Sequence, residues 1–290
     1  LNFGIRFGEK TFMNFRCFIF AALCGFLTAG QTSPSARADT MASPSPQSAM
    51  PANPAIEKFG AAVTFYMSFD RLPLFADLSS GQPEQRENSE LELRDGLYGK
   101  ALLTNQRPEF NAVENLDLSK TGAVALWIAP YSWQREGDEP NLPFITFYDH
   151  GITLMLSRQG KVEKPRRTDM IFAYAAVGKE SALVSIGAST AWQNGQWHLL
   201  AMNWRPGSFE ASLDGAKFLR KDAPFLADAK GAPGRFAIGS KNEKDFNYLT
   251  DELLILDRPL EQSEIDWLWQ TGQEKAAQNA AAQKTTGDKK

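Results

Sequence analysis

The sequence predicts an all-β protein: two antiparallel sheets packed face to face as a β-sandwich, or jelly roll, with one short C-terminal helix. Three observations carry that prediction. Apolar residues recur at every second position in runs too short for helices. Turn residues punctuate those runs at short intervals. Good helical spacing of apolar residues is confined to a segment near the end of the chain.

The elements follow in order. Val63, Phe65, Met67 and Phe69 alternate with Thr64, Tyr66, Ser68 and Asp70, a strand signal. Val124, Leu126 and Ile128 lie on the face opposite Ala125 and Trp127, and Ile152, Leu154 and Leu156 alternate with Thr153, Met155 and Ser157. Turns are expected at Lys120-Thr121-Gly122, Asp149-His150-Gly151, Arg158-Gln159-Gly160, Asn194-Gly195, Asp214-Gly215 and Pro233-Gly234. Asn-Gly and Asp-Gly supply the positive φ that tight hairpins demand. Trp127, Trp197 and Trp204 fall within strand patterns and are expected to fill the space between the sheets. The helix is predicted over Glu261 to Gln270, with Ile265, Leu268 and Trp269 at helical spacing, and Trp267 and Trp269 plugging one end of the sandwich. Many short strands with one terminal helix make a sandwich.

Composition bounds the function. The 290 residues are 43% hydrophobic, 11% aromatic and 22% charged, enough for one large domain or two ordinary ones, and they exclude wholesale disorder and a multi-span membrane protein. The balance of 31 basic against 34 acidic residues argues against a general nucleic-acid binder, which needs a cationic face.

Both ends read as lying outside the fold. Met13-Asn14-Phe15-Arg16, an apolar run from Cys17 to Ala29 and the triplet Ala36-Arg37-Ala38 predict a signal peptide over 1–38, with 1–12 upstream of the initiator Met13. The run falls short of the roughly 20 residues a spanning helix needs. Cys24 is read as unlipidated, because Leu23 before it is bulkier than the small residue such a site takes. Cleavage removes Cys17 and Cys24, so the mature chain has no disulfide and no thiol nucleophile. It also leaves 27 basic against 33 acidic residues, a net of −6. Residues 39–60, rich in Pro, Ser and Ala, are expected to be a flexible linker, 61–272 the domain, and 273–290 a disordered tail. Secretion to the periplasm, cell envelope or medium follows from the signal.

Several segments together resemble the LamG-like jelly-roll domains of the concanavalin A-like lectin and glucanase superfamily. They are Met67-Ser68-Phe69-Asp70, Gly96-Leu97-Tyr98-Gly99-Lys100-Ala101-Leu102, Gly122 to Pro130, Trp192 to Ala201 with Trp204, Ser212-Leu213-Asp214-Gly215, Phe236-Ala237-Ile238-Gly239, and Thr250 to Leu260 leading into Glu264-Ile265. Seven pieces in family order cover nearly all of the middle of the chain. Glu261 departs from the pattern, standing where the family often has a helix-capping serine, although an acid still suits a helix N-terminus.

The resemblance raises glucanase chemistry, which needs two carboxylates on one strand face as Glu-x-Asp-x-x-Glu. The nearest string, Glu264-Ile265-Asp266, lacks the final glutamate and lies on the predicted helix, where the two acids diverge. Glu90, Glu92 and Asp95 cluster in a polar stretch read as solvated surface. Zinc needs three or four ligands, and the mature chain offers only His150 and His198 as imidazoles, with His198 read as a structural, hydrogen-bonded ring. No Gly-x-Ser-x-Gly elbow or phosphate loop occurs. The cations Lys161, Lys164, Arg166 and Arg167 are read as a solvated turn beside Glu163 and Asp169.

The resemblance also implies one structural calcium ion at the sandwich edge, with Asp70 and Asp251 as its carboxylates. For ligand contact the loop from Tyr131 to Asp138 stands out. Trp133 lies beyond the strand-ending Pro130, where its indole either stacks on a sugar or folds back onto the sheet, and Arg135 and Asp138 are placed to fix hydroxyls. The expected function is a secreted, non-catalytic binding module for carbohydrate or a protein surface. The alternatives are a polysaccharide hydrolase or lyase of the same superfamily, and a structural or adhesive protein of the envelope.

Overall fold

The computed structural model describes residues 54–86, 90–104, 106–133, 142–163, 166–228, 230–231, 234–240 and 247–287, with side chains at all of these except 160–163, 166–168 and 284–287. The chain enters through helix α1 (Pro54–Phe59) and a 3₁₀ turn (Gly60–Ala62). Strands β1 (Val63–Met67), β2 (Leu78–Ser79), β3 (Glu92–Asp95), β4 (Lys100–Leu103), β5 (Glu109–Asn111), β6 (Gly122–Pro130), β7 (Leu142–Asp149) and β8 (Ile152–Glu163) follow. Then come β9 (Arg166–Val177), β10 (Glu180–Ala188), β11 (His198–Arg205), β12 (Ser208–Leu213), β13 (Leu219–Asp222), β14 (Arg235–Ile238), β15 (Tyr248–Leu256) and helix α2 (Gln262–Gly287).

The described strands form two antiparallel sheets. A nine-stranded sheet runs β13-β12-β11-β6-β15-β1-β2, with β4 joined to β15 and β3 to β4, and a six-stranded sheet runs β10-β9-β8-β7-β14-β5. The first and last strands are neighbours, Tyr66 opposite Leu254 and Met67 opposite Leu253, so the two ends of the domain are stitched together. This is the expected jelly-roll sandwich with a C-terminal helix.

Alternation explains the layers. Val124, Leu126 and Ile128 of β6 join Phe65, Phe110, Phe147, Trp204, Phe236 and Ile255 in the core between the sheets. Phe236 meets Phe65 edge-on at 5.1 Å and stacks on Phe110 at 5.3 Å, the offset geometries that aromatic quadrupoles favour. The intervening Ala125 and Trp127 point the other way, into a second core beneath the helices with Leu199, Leu254, Leu256 and Ile265.

That second core corrects two expectations. Trp204 lies between the sheets, but Trp127 stacks on Trp269 of α2 at 5.6 Å, on the outer face of the nine-stranded sheet. Trp197 is half-buried at the edge of this outer layer. Trp267, edge-on to Phe59 of α1 at 6.2 Å, covers that face instead of plugging an end. Gly272 lets α2 lie close, because a Cβ there would run into the Trp127 ring.

The boundaries shift for the same reason. Ala55 and Phe59 are buried under α2, so six residues of the expected linker belong to the fold. Helix α2 continues through Gly287, with Ala276 packed and Asn279 Nδ2 donating to the Leu97 carbonyl at 2.8 Å, so the expected tail is helical there. Residues 1–38, read as a signal peptide, lie outside the described residues. No described helix is long and apolar enough to cross a membrane.

The helix start shows how Glu261 is accommodated. Its N–H donates to Glu264 Oε2 at 2.9 Å, the backward half of a capping box, while Arg258 donates two hydrogen bonds to Glu264 at 2.8 and 2.7 Å. These Arg258 bonds hold the Glu264 carboxyl below its ordinary range, outweighing partial burial. The stabilisation is therefore present above the unfolded value of 4.5 and is lost as pH falls through the lower folded value. Urea midpoints compared at about pH 6 and about pH 3 are expected to differ less in Glu264→Gln than in the parent, by about 1 kcal/mol at most because Arg258 is partly solvated. Trp127→Ala is expected to cost about 3–5 kcal/mol in the same assay, since it empties the contact that docks α2.

Candidate functional site

At the end of the sandwich where β6 begins, the segment joining β5 to β6 meets the β7–β8 turn, the start of β1 and the end of β15. Polar side chains pin it. Asn115, fully buried, accepts from Ser79 Oγ and the Gly81 N–H, both at 2.8 Å, and donates to the Gln82 and Asn111 carbonyls at 2.9 and 3.2 Å. All four of its amide's hydrogen-bonding positions are used. Asp149, also buried, accepts the Leu118 and Gly234 amides at 2.9 and 2.8 Å. Trp204 Nε1 donates to the Asp117 carbonyl at 3.2 Å.

These pins leave a cleft of about 380 Å³ beside the segment. Leu116, Trp204 and Leu256 supply apolar wall, while Thr64, Lys120 and Asp257 supply polar groups. Val113 and Glu114 form a ridge between this cleft and a second of about 410 Å³ that reaches Gly81, Gln82 and Asn111. Val113 is 49% exposed, and Glu114 holds φ at 63°, a left-handed conformation that a non-glycine residue adopts at some cost.

One wall carries titratable groups. His150, at φ 50°, places Nδ1 2.7 Å from Asp149 Oδ2 and 3.9 Å from Asp117 Oδ1. Partial burial would raise the Asp117 carboxyl, but hydrogen bonds from Ser119 and Lys120 carry it below the ordinary range. Among the described residues, the Asp, Glu, His and Cys ligand atoms that gather in a group of three or more, all within 4.8 Å, are those of Asp117, Asp149 and His150. Sequence reasoning placed Asp149 and His150 in a turn and passed over Asp117, since no spacing rule joins residues 32 positions apart.

Of the sequence-predicted ligand residues, Trp133 lies past the far end of β6. Trp133 is half-buried, stacked on Trp192 at 5.7 Å with the Arg158 guanidinium 4.4 Å from its ring, and Trp192 stacks in turn on His198 at 3.9 Å. Arg158 is paired with Asp169 at 3.1 Å, and His198 Nδ1 with Asp214 Oδ2 at 2.8 Å. The indole thus folds back onto the domain and packs within this stack. Arg135 and Asp138 lie outside the described residues. Glu264 and Asp266 sit on α2, as the helix prediction required.

Asp70 and Asp251 do meet, at the Gly96–Lys100 turn. Asp251 Oδ2 accepts the Leu97 and Tyr98 amides at 2.8 and 3.0 Å, its Oδ1 accepts the Glu252 amide at 2.9 Å, and Asp70 Oδ1 accepts the Lys100 amide at 2.7 Å. Glycine is required at 96, where a Cβ would stand 2.7 Å from Asp251 Oδ2. Burial and the neighbouring Glu252 charge hold the Asp251 carboxyl well above its ordinary range, against the two amides that lower it. Glu252 in turn accepts the Tyr66 hydroxyl at 2.5 Å, and burial pushes that hydroxyl's titration upward. Calcium needs six to eight oxygens, and here the amides already occupy both lone-pair directions of Asp251 Oδ2. As placed, the two acids fit a clasp for the turn and not a calcium cage.

The layers, the helix-covered face and the loops gathered at the ends define a jelly-roll protein of the lectin-like class. The model of the concanavalin A-like lectin/glucanases superfamily, Laminin_G_3, matches residues 104–266, more than half of the chain, and the chain belongs to this family. Similar solved structures include the binding domain of botulinum neurotoxin DC in complex with rat synaptotagmin II, at TM-score 0.55 and 12% identity over 73% of this chain and 52% of that one. Another is domain 4 of AbnA, a GH43 extracellular arabinanase from Geobacillus stearothermophilus, in complex with arabinotriose, at TM-score 0.51 and 21% identity over 71% of this chain and 97% of that one. At these identities the likeness is one of fold, and this chain spans about half the length of the toxin binding domains. Among curated proteins none matches.

Asp251→Asn is expected to cost about 1–3 kcal/mol by urea denaturation, because its NH₂ group must face a backbone N–H donor. The melting temperature of the parent chain is expected to be the same in calcium chloride as in chelator. A calcium-dependent rise abolished by Asp251→Asn would instead return the two acids to a metal role.

Proposed function

We propose that this chain is a non-catalytic binding module that works outside the cytoplasm and takes a carbohydrate at the end cleft. The observation that carries this reading is the cleft itself, where the exposed Val113 and the edges of Leu116, Trp204 and Leu256 stand beside Thr64, Glu114, Lys120 and Asp257. A sugar offers an apolar ring face and a fringe of hydroxyls, which such a mixed wall matches: hydrocarbon against the ring, carboxylates and ammonium for the hydroxyls. The loops are held by buried polar clasps, so little ordering cost falls on binding.

The resemblance in fold to domains bound to arabinotriose and to synaptotagmin supports a binding role for this architecture, with saccharide and protein as the two ligand classes. Their ligands are not transferred to this chain, since fold does not fix function. The basic, apolar and small-residue pattern of Met13 to Ala38 supports export.

The test is retention of the full chain on a panel of insoluble and soluble polysaccharides, with analysis of the supernatant for released oligosaccharide. Retention without release is expected, and Glu114→Gln with Asp257→Asn is expected to weaken it about tenfold, the loss of one or two charge-assisted hydrogen bonds. Release of oligosaccharide would assign the chain to the enzymes of its superfamily. Retention unchanged by the double substitution would move the site away from this cleft, and no retention on any polysaccharide would favour a protein partner.

A further inference from the structure

Asp117, Asp149 and His150 come from two separate loops, and the fold delivers their side chains to one point. His150 Nδ1 lies 2.7 Å from Asp149 Oδ2 and 3.9 Å from Asp117 Oδ1, beside the cleft that Asp117 and His150 help to line. A tetrahedral ion with ligand bonds of about 2.0–2.2 Å holds its ligand atoms about 3.4 Å apart, between the two observed separations. We propose that these three residues bind a divalent transition-metal ion of the zinc class, with its remaining coordination positions open to the cleft.

The donor set selects the class of ion. One imidazole nitrogen with two carboxylates suits zinc, cobalt or manganese, whereas calcium and magnesium take oxygen alone. Two carboxylates balance the charge of a divalent ion. The supports that a metal site requires are already in place. Asp149 is oriented by the Leu118 and Gly234 amides, the Asp117 backbone is held by Trp204 Nε1, and the Ser119 amide donates to Asp117 Oδ1, while the Ser119 hydroxyl, which donates to the same oxygen, rotates away to free the lone pair that meets the ion.

Binding asks for small movements. The His150–Asp149 pair opens by about 0.7 Å, and Asp117, with its side chain 32% exposed, closes by about 0.5 Å. Lys120 Nζ, 3.0 Å from Asp117 Oδ2, is the cation now facing the carboxylate, and its side chain is 77% exposed and free to swing into solvent. The proton that Nδ1 shares with Asp149 moves to Nε2 through solvent, leaving a neutral ring whose Nδ1 lone pair turns to the ion. The proposal stands on the geometry of this wall and does not require that a sugar bind.

The test uses the full chain, stripped with chelator and dialysed, then titrated with zinc chloride by calorimetry and with cobalt chloride by visible absorption and paramagnetic NMR. One site per chain is expected, with a cobalt-shifted imidazole resonance assigned to His150 by its loss in His150→Asn. Asparagine tolerates the positive φ at 150, so this variant preserves the turn. Asp117→Asn and His150→Asn are each expected to weaken zinc at least tenfold while melting like the parent in chelator. Lys120→Ala is expected to tighten zinc several-fold by removing the competing cation. Binding that survives both ligand substitutions, a shifted resonance from His198 alone, or no heat at zinc concentrations near 100 μM would each overturn the proposal.

Discussion

Strand β6 is buried along its whole length, and the molecule is arranged around that double burial. One set of its side chains closes the core between the sheets, and the other, led by Trp127, must be covered from outside. A single antiparallel sandwich buries one face of each sheet. Here the outward face of the nine-stranded sheet is apolar too, so α1 and α2 fold over it. The outcome is three layers, with the two helices as structural cover.

Buried polar clasps translate this rigid frame into positioned loops. Asn115, Asp149 and Asp251 are buried away from bulk solvent, and each is surrounded by backbone amides or carbonyls belonging to a connection. An unsatisfied buried polar group costs about 1–3 kcal/mol, so each clasp specifies one loop path over its alternatives. The end cleft exists because the Asn115 and Asp149 clasps, with Trp204, hold the segment before β6 in place. The same logic explains the positive φ of Glu114 and Glu252, left-handed residues beside segments whose neighbours are over-determined.

The family relationship fits this division of labour. A conserved frame with variable ends supports many ligands, and the described aromatic residues of this chain serve packing to a large degree. Trp133 shows it: an indole in a loop, the usual mark of a sugar platform, stacks on Trp192, which stacks in turn on His198. Polar chemistry gathers instead at the opposite end of β6, around Asp117, His150 and Asp257.

Period-two alternation, read residue by residue, was enough for the strands at Val63, Val124 and Ile152 and for the sandwich class, because a strand's side chains must alternate whatever packs on them. Glycine marked the turns at Asp149-His150-Gly151 and Asp214-Gly215 but misplaced one at Arg158-Gln159-Gly160, which β8 runs straight through. The same alternation showed that Trp127 faces away from Leu126, yet not what waits on that side. That required α2, whose extension to Gly287 follows from Ala276 and Asn279 finding the sheet and the Leu97 carbonyl, long-range contacts invisible in an Ala- and Gln-rich stretch. The candidate site was least legible for the same reason. Asp117 and His150 are ordinary loop residues until two connections, separated by all of β6 and β7, are brought side by side by the register of the sheets, and only folding makes them neighbours.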